Sequence, residues 1–159
     1  MHREPIDVDA PTGRVLPRWL WPTCVLGALP VAWAAVHAGL GMSISEPARD
    51  IALLSLGAVT EEIVFRGGLQ RALRRWRALG SHAGPISAAN ALTSVVFAAA
   101  HLWSHPPLAA LAVWPVSLLL GWVYERGGER LVPPVLLHLH FNAVLFAYSL
   151  GLGHGSRLS

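Results

Sequence analysis

Long apolar runs alternate with short polar segments along most of the chain. Four of the five runs approach the roughly 20 helical residues needed to cross a hydrocarbon core of roughly 30 Å. The second is shorter, and we expect its helix to continue through GGLQRALRRWR, with the last arginines reaching the headgroups. The pattern predicts an all-α, polytopic transmembrane helical bundle of about five spans. The candidate spans are Trp19 to Leu40, Ile51 to Phe65, Pro85 to Trp103, Pro107 to Tyr124 and Leu131 to Leu152.

The same pattern divides the chain into one domain with two tails. We assign residues 1–18 to a polar N-terminal tail, 19–152 to the transmembrane domain and 153–159 to a short C-terminal tail. The N-terminal tail is longer than the charged region of a signal peptide, and no small-residue cleavage site follows the first apolar run. We therefore expect the first span to remain in the mature protein.

Composition and charge agree with a membrane protein. The chain is 53% hydrophobic and 13% charged, with a mean hydropathy of +0.48. Its basic residues, all arginines, fall between the apolar runs and act as topology signals, which argues against nucleic-acid binding. Cys24 is the only cysteine, so neither an internal disulfide nor a cysteine metal cluster is expected. The arginines assigned to the cytoplasmic side are Arg3, Arg14, Arg18, Arg66, Arg71, Arg74, Arg75, Arg77, Arg126 and Arg130.

Two adjacent glutamates follow the second apolar run, in GAVTEEIVFRGG. An ionisable side chain inside a membrane span costs about 2.5–3.5 kcal/mol on insertion scales, so the pair needs compensation. Glu62 and Arg66 have the favourable i,i+4 order for an ion pair, whereas Glu61 points about 100° away. Glu61, without a partner on its helix, is the candidate general base. The structural alternative is that both glutamates only bond neighbouring helices.

Two further segments present polar groups on helical faces. FAAAH, residues 97–101, aligns Phe97 with His101, and PVLLHLHFN, residues 134–142, aligns His138 with Asn142. His140 lies about 200° round the helix from His138 and is assigned to packing. One conflict remains in the span assignment, because His101 lies near the outer end of its span and His138 nearer the inner end. Either the helices are bent or tilted, or a boundary is wrong.

The three motifs E-E-x-x-x-R, F-x-x-x-H and H-x-x-x-N occur in this order on successive segments. They resemble the motifs of the CPBP family, also called the ABI family, which contains type II CAAX prenyl endopeptidases and bacterial relatives. The resemblance extends from about Gly57 to Asn142 and includes the connections GGLQRAL and GWVYERGGERLVPPVLLH. It implies a multi-pass protein of the bacterial cytoplasmic membrane.

The resemblance also implies an intramembrane endopeptidase acting on a membrane-associated peptide or protein. Glu61 would activate a water with help from His101, while His138 and Asn142 would stabilise the oxyanion at the scissile carbonyl. Glu62 and Arg66 would support this site. The family is often described as metalloproteases, but the sequence has no HExxH motif, and we favour a metal-free mechanism. If zinc takes part, its ligands would be Glu61, His101 and His138.

Other functions were weighed against proteolysis. A non-catalytic bacteriocin-immunity or scaffold protein of the same fold is the main alternative, and a small transporter is another, although no inverted repeat is visible. No serine-nucleophile motif is present, and no aspartate follows Asp50, which argues against serine and aspartyl intramembrane proteases. The chain is shorter than the eight-span members of the family, so a prenylated substrate does not follow from the resemblance.

Overall fold

The computed structural model describes residues 22–23, 44–80 and 85–155, with side chains up to residue 151. Within these residues the regular elements are helices, which confirms the all-α prediction. The predicted first span and N-terminal tail lie outside the described residues, apart from residues 22 and 23. The helices are α1 (Pro47–Glu62), the π-helix π1 (Ile63–Gln70), α2 (Arg71–Arg74), α3 (Arg77–Gly80), α4 (Ala88–His101), α5 (Pro107–Arg126) and α6 (Val132–Gly155).

Two of the described helices have the length and composition needed to cross a membrane. They are Pro107–Arg126 and the Val132–Gly151 part of α6. α4 has 14 residues, which is shorter than the predicted span from Pro85 to Trp103. It starts late because Ser87 is its N-cap, where the hydroxyl accepts a hydrogen bond from the Asn90 N–H at 3.0 Å. The number of spans, about five, therefore stays a prediction.

α1, π1 and α2 form one continuous helical segment. Pro47 lies in the first turn of α1, and Asp50 accepts hydrogen bonds from the backbone N–H groups of Ser45 and Glu46, which fixes the chain where it enters the helix. The predicted continuation beyond Phe65 is confirmed as far as Arg74, but residues 63–70 are π-helical rather than α-helical. Wider π turns inside α-helices occur frequently at functional sites.

The helices pack in two main pairs, α4 with α5 and α1 with α6, and π1 contacts both α4 and α5. An apolar cluster of Leu120, Val123, Leu137 and Phe141 joins α5 to α6. In a water-soluble protein, burying such a side chain stabilises the fold by about 1.5–3 kcal/mol. Where lipid surrounds the bundle, close packing between helices takes the place of this hydrophobic effect. Among the described elements π1 packs against α4 and α5, and this buries Arg66 and Gln70, whereas Ile63 and Val64 stay exposed.

A polar ladder connects the continuous α1–π1–α2 segment to α5. Arg66, Gln70 and Arg74 lie four residues apart and pair with Ser117, Gly121 and Glu125, which are also four apart. The equal spacing means that the two segments run in the same direction at this contact. At its end, burial lowers the pKa of Arg74, but the hydrogen bond to Glu129 and the charge of Glu125 outweigh burial and raise that pKa above its usual value.

Large apolar side chains cover much of the outer surface, and many polar side chains share the interior with the apolar cluster, unlike the usual distribution in a water-soluble domain. Buried polar side chains include Glu62, Arg66, Gln70, Asn90, Thr93, Ser94 and Ser117. The exposed large apolar side chains include Leu53, Leu56, Ile63, Val64, Leu92, Val95, Val96, Leu108 and Leu111. This distribution is the one expected of helices that face lipid.

Gly121 is the tightest point of the ladder and gives a first testable prediction. A Cβ at this position would lie 2.0 Å from Asn90 Oδ1 and 2.9 Å from Gln70 Oε1. We expect Gly121→Ala to destabilise the protein by about 1–3 kcal/mol or more, because both amides must move. Gly57→Ala is the matched control, since a Cβ there meets nothing within 4 Å. Equal thermal unfolding of the two variants in detergent would contradict this prediction.

Candidate active site

Glu62 is the most deeply enclosed of the candidate site residues. It ends α1 and is fully buried, as is Arg66, one turn further in π1. Glu62 Oε2 lies 3.2 Å from Arg66 Nε, the ion pair that the i,i+4 spacing predicts. The two atoms are not aligned for a hydrogen bond, so the contact is electrostatic. The sequence places Arg66 among the arginines that follow the apolar runs, and in the structure its side chain is buried inside the bundle.

His138, on α6, lies between the two glutamates. Its Nδ1 is 2.9 Å from Glu62 Oε1, and its Nε2 is 3.8 Å from Glu61 Oε2. The first distance is a hydrogen bond, in which Nδ1–H donates to the carboxylate, whereas the second is too long for a direct one. The bond to Glu62 fixes the ring so that Nε2 faces Glu61. The sequence did not predict this second partner of Glu62.

Glu61 has a different environment from its neighbour. Its side chain is 35% exposed, against 0% for Glu62, and it has no partner on its own helix because Phe65 stands four residues on. The sequence therefore predicted two unequal glutamates, and their burial and partners are indeed unequal. What the sequence missed is that His138 connects them. Glu61 is consequently both accessible from outside the bundle and within reach of an imidazole.

His101, the last residue of α4, is placed by Phe97. Its Nδ1–H donates to the Phe97 carbonyl oxygen at 2.9 Å, and the two rings are 4.5 Å apart between centroids. The same Phe97 ring lies 6.3 Å from the His138 ring, within the range of an edge-to-face contact. The predicted shared face of Phe97 and His101 is thus present. Both histidine rings lie beside the Phe97 ring, so their side chains come together within the described bundle.

Asn142 is on the same helix as His138 but is bonded elsewhere. Its Nδ2 donates to the Leu54 carbonyl oxygen at 3.2 Å, which joins α6 to α1 two turns before the glutamates. An amide nitrogen carries two hydrogens, so a second one remains for another acceptor. Asn142 therefore joins α6 to α1 through a contact that the sequence did not predict. It also shares a helical face with His138, as its spacing predicts.

A metal site needs several ligating side chains that face one point. Within residues 44–80 and 85–155, no group of three or more His, Cys, Asp or Glu side chains has the spacing of a metal site. The three ligands named for zinc, Glu61, His101 and His138, do not form such a group. Tetrahedral zinc requires ligand atoms at about 2.0–2.3 Å from a common point. This side-chain arrangement does not fit that requirement.

Three buried residues that sequence reasoning left out belong to the same polar interior. Ser117 accepts from Arg66, Ser94 accepts from Ser117, and Asn90 accepts from Ser94. A signal was present, because residues 90, 94, 97 and 101 have the 4-3-4 spacing of one helical face. That face carries the stacked Phe97 and His101 as well.

Ionisable side chains clustered inside a bundle with an apolar surface indicate a functional site rather than simple packing. The sequence model of the family described as type II CAAX prenyl endopeptidase Rce1-like matches residues 43–144. This is more than half of the chain, so the protein belongs to that family of membrane-embedded, CAAX-protease-like endopeptidases. The resemblance drawn from the motifs is thereby confirmed. No curated protein and no solved structure gives a significant match.

Proposed function

We propose that the protein is an intramembrane endopeptidase that hydrolyses a peptide bond in a membrane-associated protein or peptide. The observation that carries the proposal is the placement of His138 between a buried and an accessible glutamate, at 2.9 Å and 3.8 Å. An accessible carboxylate facing an oriented imidazole can hold and deprotonate one water. A purely structural glutamate pair would not need one carboxylate left accessible.

In the proposed reaction Glu61 is the general base. It takes a proton from water, and the resulting hydroxide attacks the carbonyl carbon of the scissile bond. Collapse of the tetrahedral intermediate breaks the C–N bond, and the proton held by Glu61 passes to the leaving amine. His101 assists, because its Nδ1–H is donated to Phe97 and its Nε2 can then accept a proton or a hydrogen bond.

His138 and Asn142 are the proposed donors to the oxyanion. With Nδ1–H donated to Glu62, His138 can donate from Nε2 only when both nitrogens carry protons, and Glu62 provides a carboxylate partner for that cation. Asn142 would donate the hydrogen that the Leu54 carbonyl does not accept. Preorganised donors of this kind contribute about 2.7–4 kcal/mol each to transition-state stabilisation.

We further propose a multi-pass location in the bacterial cytoplasmic membrane. The apolar outer surface and the two helices of sufficient length support a lipid environment. The substrate then has to reach Glu61 from within or beside the bilayer, which favours a membrane-associated peptide. We propose that no metal is required, since the glutamates and histidines can provide base and donors by themselves.

The test compares cells that express the wild-type protein with cells that express Glu61→Ala. Quantitative analysis of protein C-termini is expected to show a new C-terminus only with the wild type, and an intact precursor with the variant. The same precursor, incubated with purified protein, is expected to be cleaved in the presence of a zinc chelator. Chelator-sensitive cleavage that zinc restores would instead overturn the metal-free mechanism.

The alternative, a non-catalytic immunity or scaffold protein, has an opposite outcome in the same experiment. Identical C-termini in the two cell populations, with equal expression and a phenotype independent of Glu61, would overturn the proteolytic assignment and support that alternative. Equal expression matters because the Glu61 side chain is partly buried.

A further inference from the structure

The position of Glu62 depends on Arg66, and this dependence extends to a third helix. Glu62 contacts His138 through Oε1 and faces Arg66 with Oε2. Any shift of the Arg66 guanidinium therefore moves the carboxylate that orients His138. Arg66 in turn lies with Cζ 5.0 Å from the centre of the Phe97 ring, so one face of the guanidinium is fixed by an aromatic side chain.

The remaining support for Arg66 comes from Ser117 on α5. Arg66 Nη2 donates to the Ser117 carbonyl oxygen at 2.8 Å and to Ser117 Oγ at 2.9 Å. Hydrogen bonds from a charged donor are roughly twice as strong as neutral ones. Ser117 is fully buried, so it cannot contact a substrate.

The direction of the Ser117 hydroxyl is set by a one-way chain of hydrogen bonds. Ser117 Oγ donates to Ser94 Oγ at 3.1 Å, Ser94 Oγ donates to Asn90 Oδ1 at 3.2 Å, and Asn90 Nδ2 donates to the Leu118 carbonyl oxygen at 3.0 Å. Because each hydroxyl gives its proton away from the site, the lone pairs of Ser117 are directed at Arg66. Such chains strengthen each bond cooperatively.

We propose that Ser117 is a positioning residue for the active site, which acts through Arg66 and Glu62 to hold His138 in register with Glu61. Ser94 and Asn90 hold the Ser117 hydroxyl in the orientation that accepts from Arg66. The predicted effect on kcat rests on the proposed peptidase function. The predicted effect on the position of His138 does not.

Ser117→Ala removes one acceptor from Arg66 and leaves the carbonyl contact in place. With the precursor as substrate, kcat is expected to fall about tenfold, less than the roughly 100-fold cost of a 1 Å misplacement, because the Ser117 carbonyl still holds Arg66. KM is expected to stay close to wild type, whereas the unfolding temperature should fall modestly, because a buried hydrogen bond to a charged group is lost. Ser94→Ala should lower kcat in the same direction by a smaller factor, because it only releases the Ser117 hydroxyl from its orientation.

A double-mutant cycle separates positioning from a merely structural role. If Ser117 acts through Glu62, then Ser117→Ala adds less than about twofold to the loss of kcat in a Glu62→Gln background. Independent, multiplying effects would overturn the proposal. Ser55→Ala is the matched control, because among the described residues its hydroxyl bonds to the Ile51 carbonyl oxygen of its own helix. That control is expected to retain wild-type kcat.

A second readout does not require activity. In protein labelled with ¹⁵N at histidine, the His138 ring signals can be assigned by their loss in His138→Asn. Ser117→Ala is expected to shift these signals, and Ser55→Ala to leave them unchanged. Unshifted signals would overturn the positioning role. Absence of cleavage by the wild-type protein, with the signals still shifted, would overturn the proposed function alone.

Discussion

Glu61→Gln is expected to lower kcat by about 10²–10⁴-fold, the range that general-base catalysis contributes. Glutamine has nearly the same shape and keeps a hydrogen-bonding oxygen, but it cannot accept the proton of the attacking water. KM is expected to change little, because the loss falls on the transition state rather than on substrate binding. The measurement is steady-state cleavage of the precursor by purified protein in lipid vesicles.

The control for this variant is Glu46→Gln, which changes an exposed carboxylate at the start of α1. It should cleave at the wild-type rate. Both variants should unfold at the wild-type temperature, because the Glu61 side chain is 35% exposed and makes no direct hydrogen bond to His138. Full activity of Glu61→Gln together with loss of activity in Glu62→Gln would transfer the role of the base to Glu62.

The fold was predictable where it depends on local pattern. Apolar runs and helical periodicity predicted the helices that contain the glutamates, His101 and His138. The π1 segment could not be predicted, because a π turn depends on the contacts that hold it from α4 and α5 rather than on a strong local preference. The short α4 illustrates a second limit, since the hydropathy window extended beyond the Ser87 cap.

The candidate site was predictable to the extent that helical spacing determines it. The i,i+4 rule paired Glu62 with Arg66 and Phe97 with His101, and both contacts are present. Contacts between helices are different, because spacing along one helix carries no information on which neighbour faces it. The hydrogen bond from His138 to Glu62 joins residues 76 positions apart, and the Asn142 bond to Leu54 joins residues 88 apart.

These long-range contacts change the interpretation of the second glutamate. From the sequence, Glu62 is the acid that Arg66 neutralises. In the structure, its two oxygens face two different partners, a guanidinium in π1 and an imidazole on α6. The charge that Arg66 balances is therefore the same charge that orients His138. Stability and chemistry are coupled at this one carboxylate.

This coupling can be tested with Arg66→Met. The variant is expected to reduce the free energy of unfolding by about 3–5 kcal/mol, the effect of removing one partner from a buried ion pair. Methionine retains much of the apolar volume, so the loss reflects the uncompensated Glu62 carboxylate, which is 0% exposed. The measurement is denaturation in detergent micelles. Arg71→Met, at an exposed position of α2, should stay within about 0.5 kcal/mol of wild type.

The double variant Glu62→Gln/Arg66→Met shows whether the loss of stability in Arg66→Met comes from the lost charge or from the changed shape of the side chain. Removing both charges is often neutral for a buried pair, so the double variant should be more stable than Arg66→Met alone. It should nevertheless be a poor enzyme, because Glu62→Gln weakens the hydrogen bond that orients His138. If the double variant lost the sum of both single effects, the two side chains would act independently, and Glu62 could not transmit the position of Arg66 to the site.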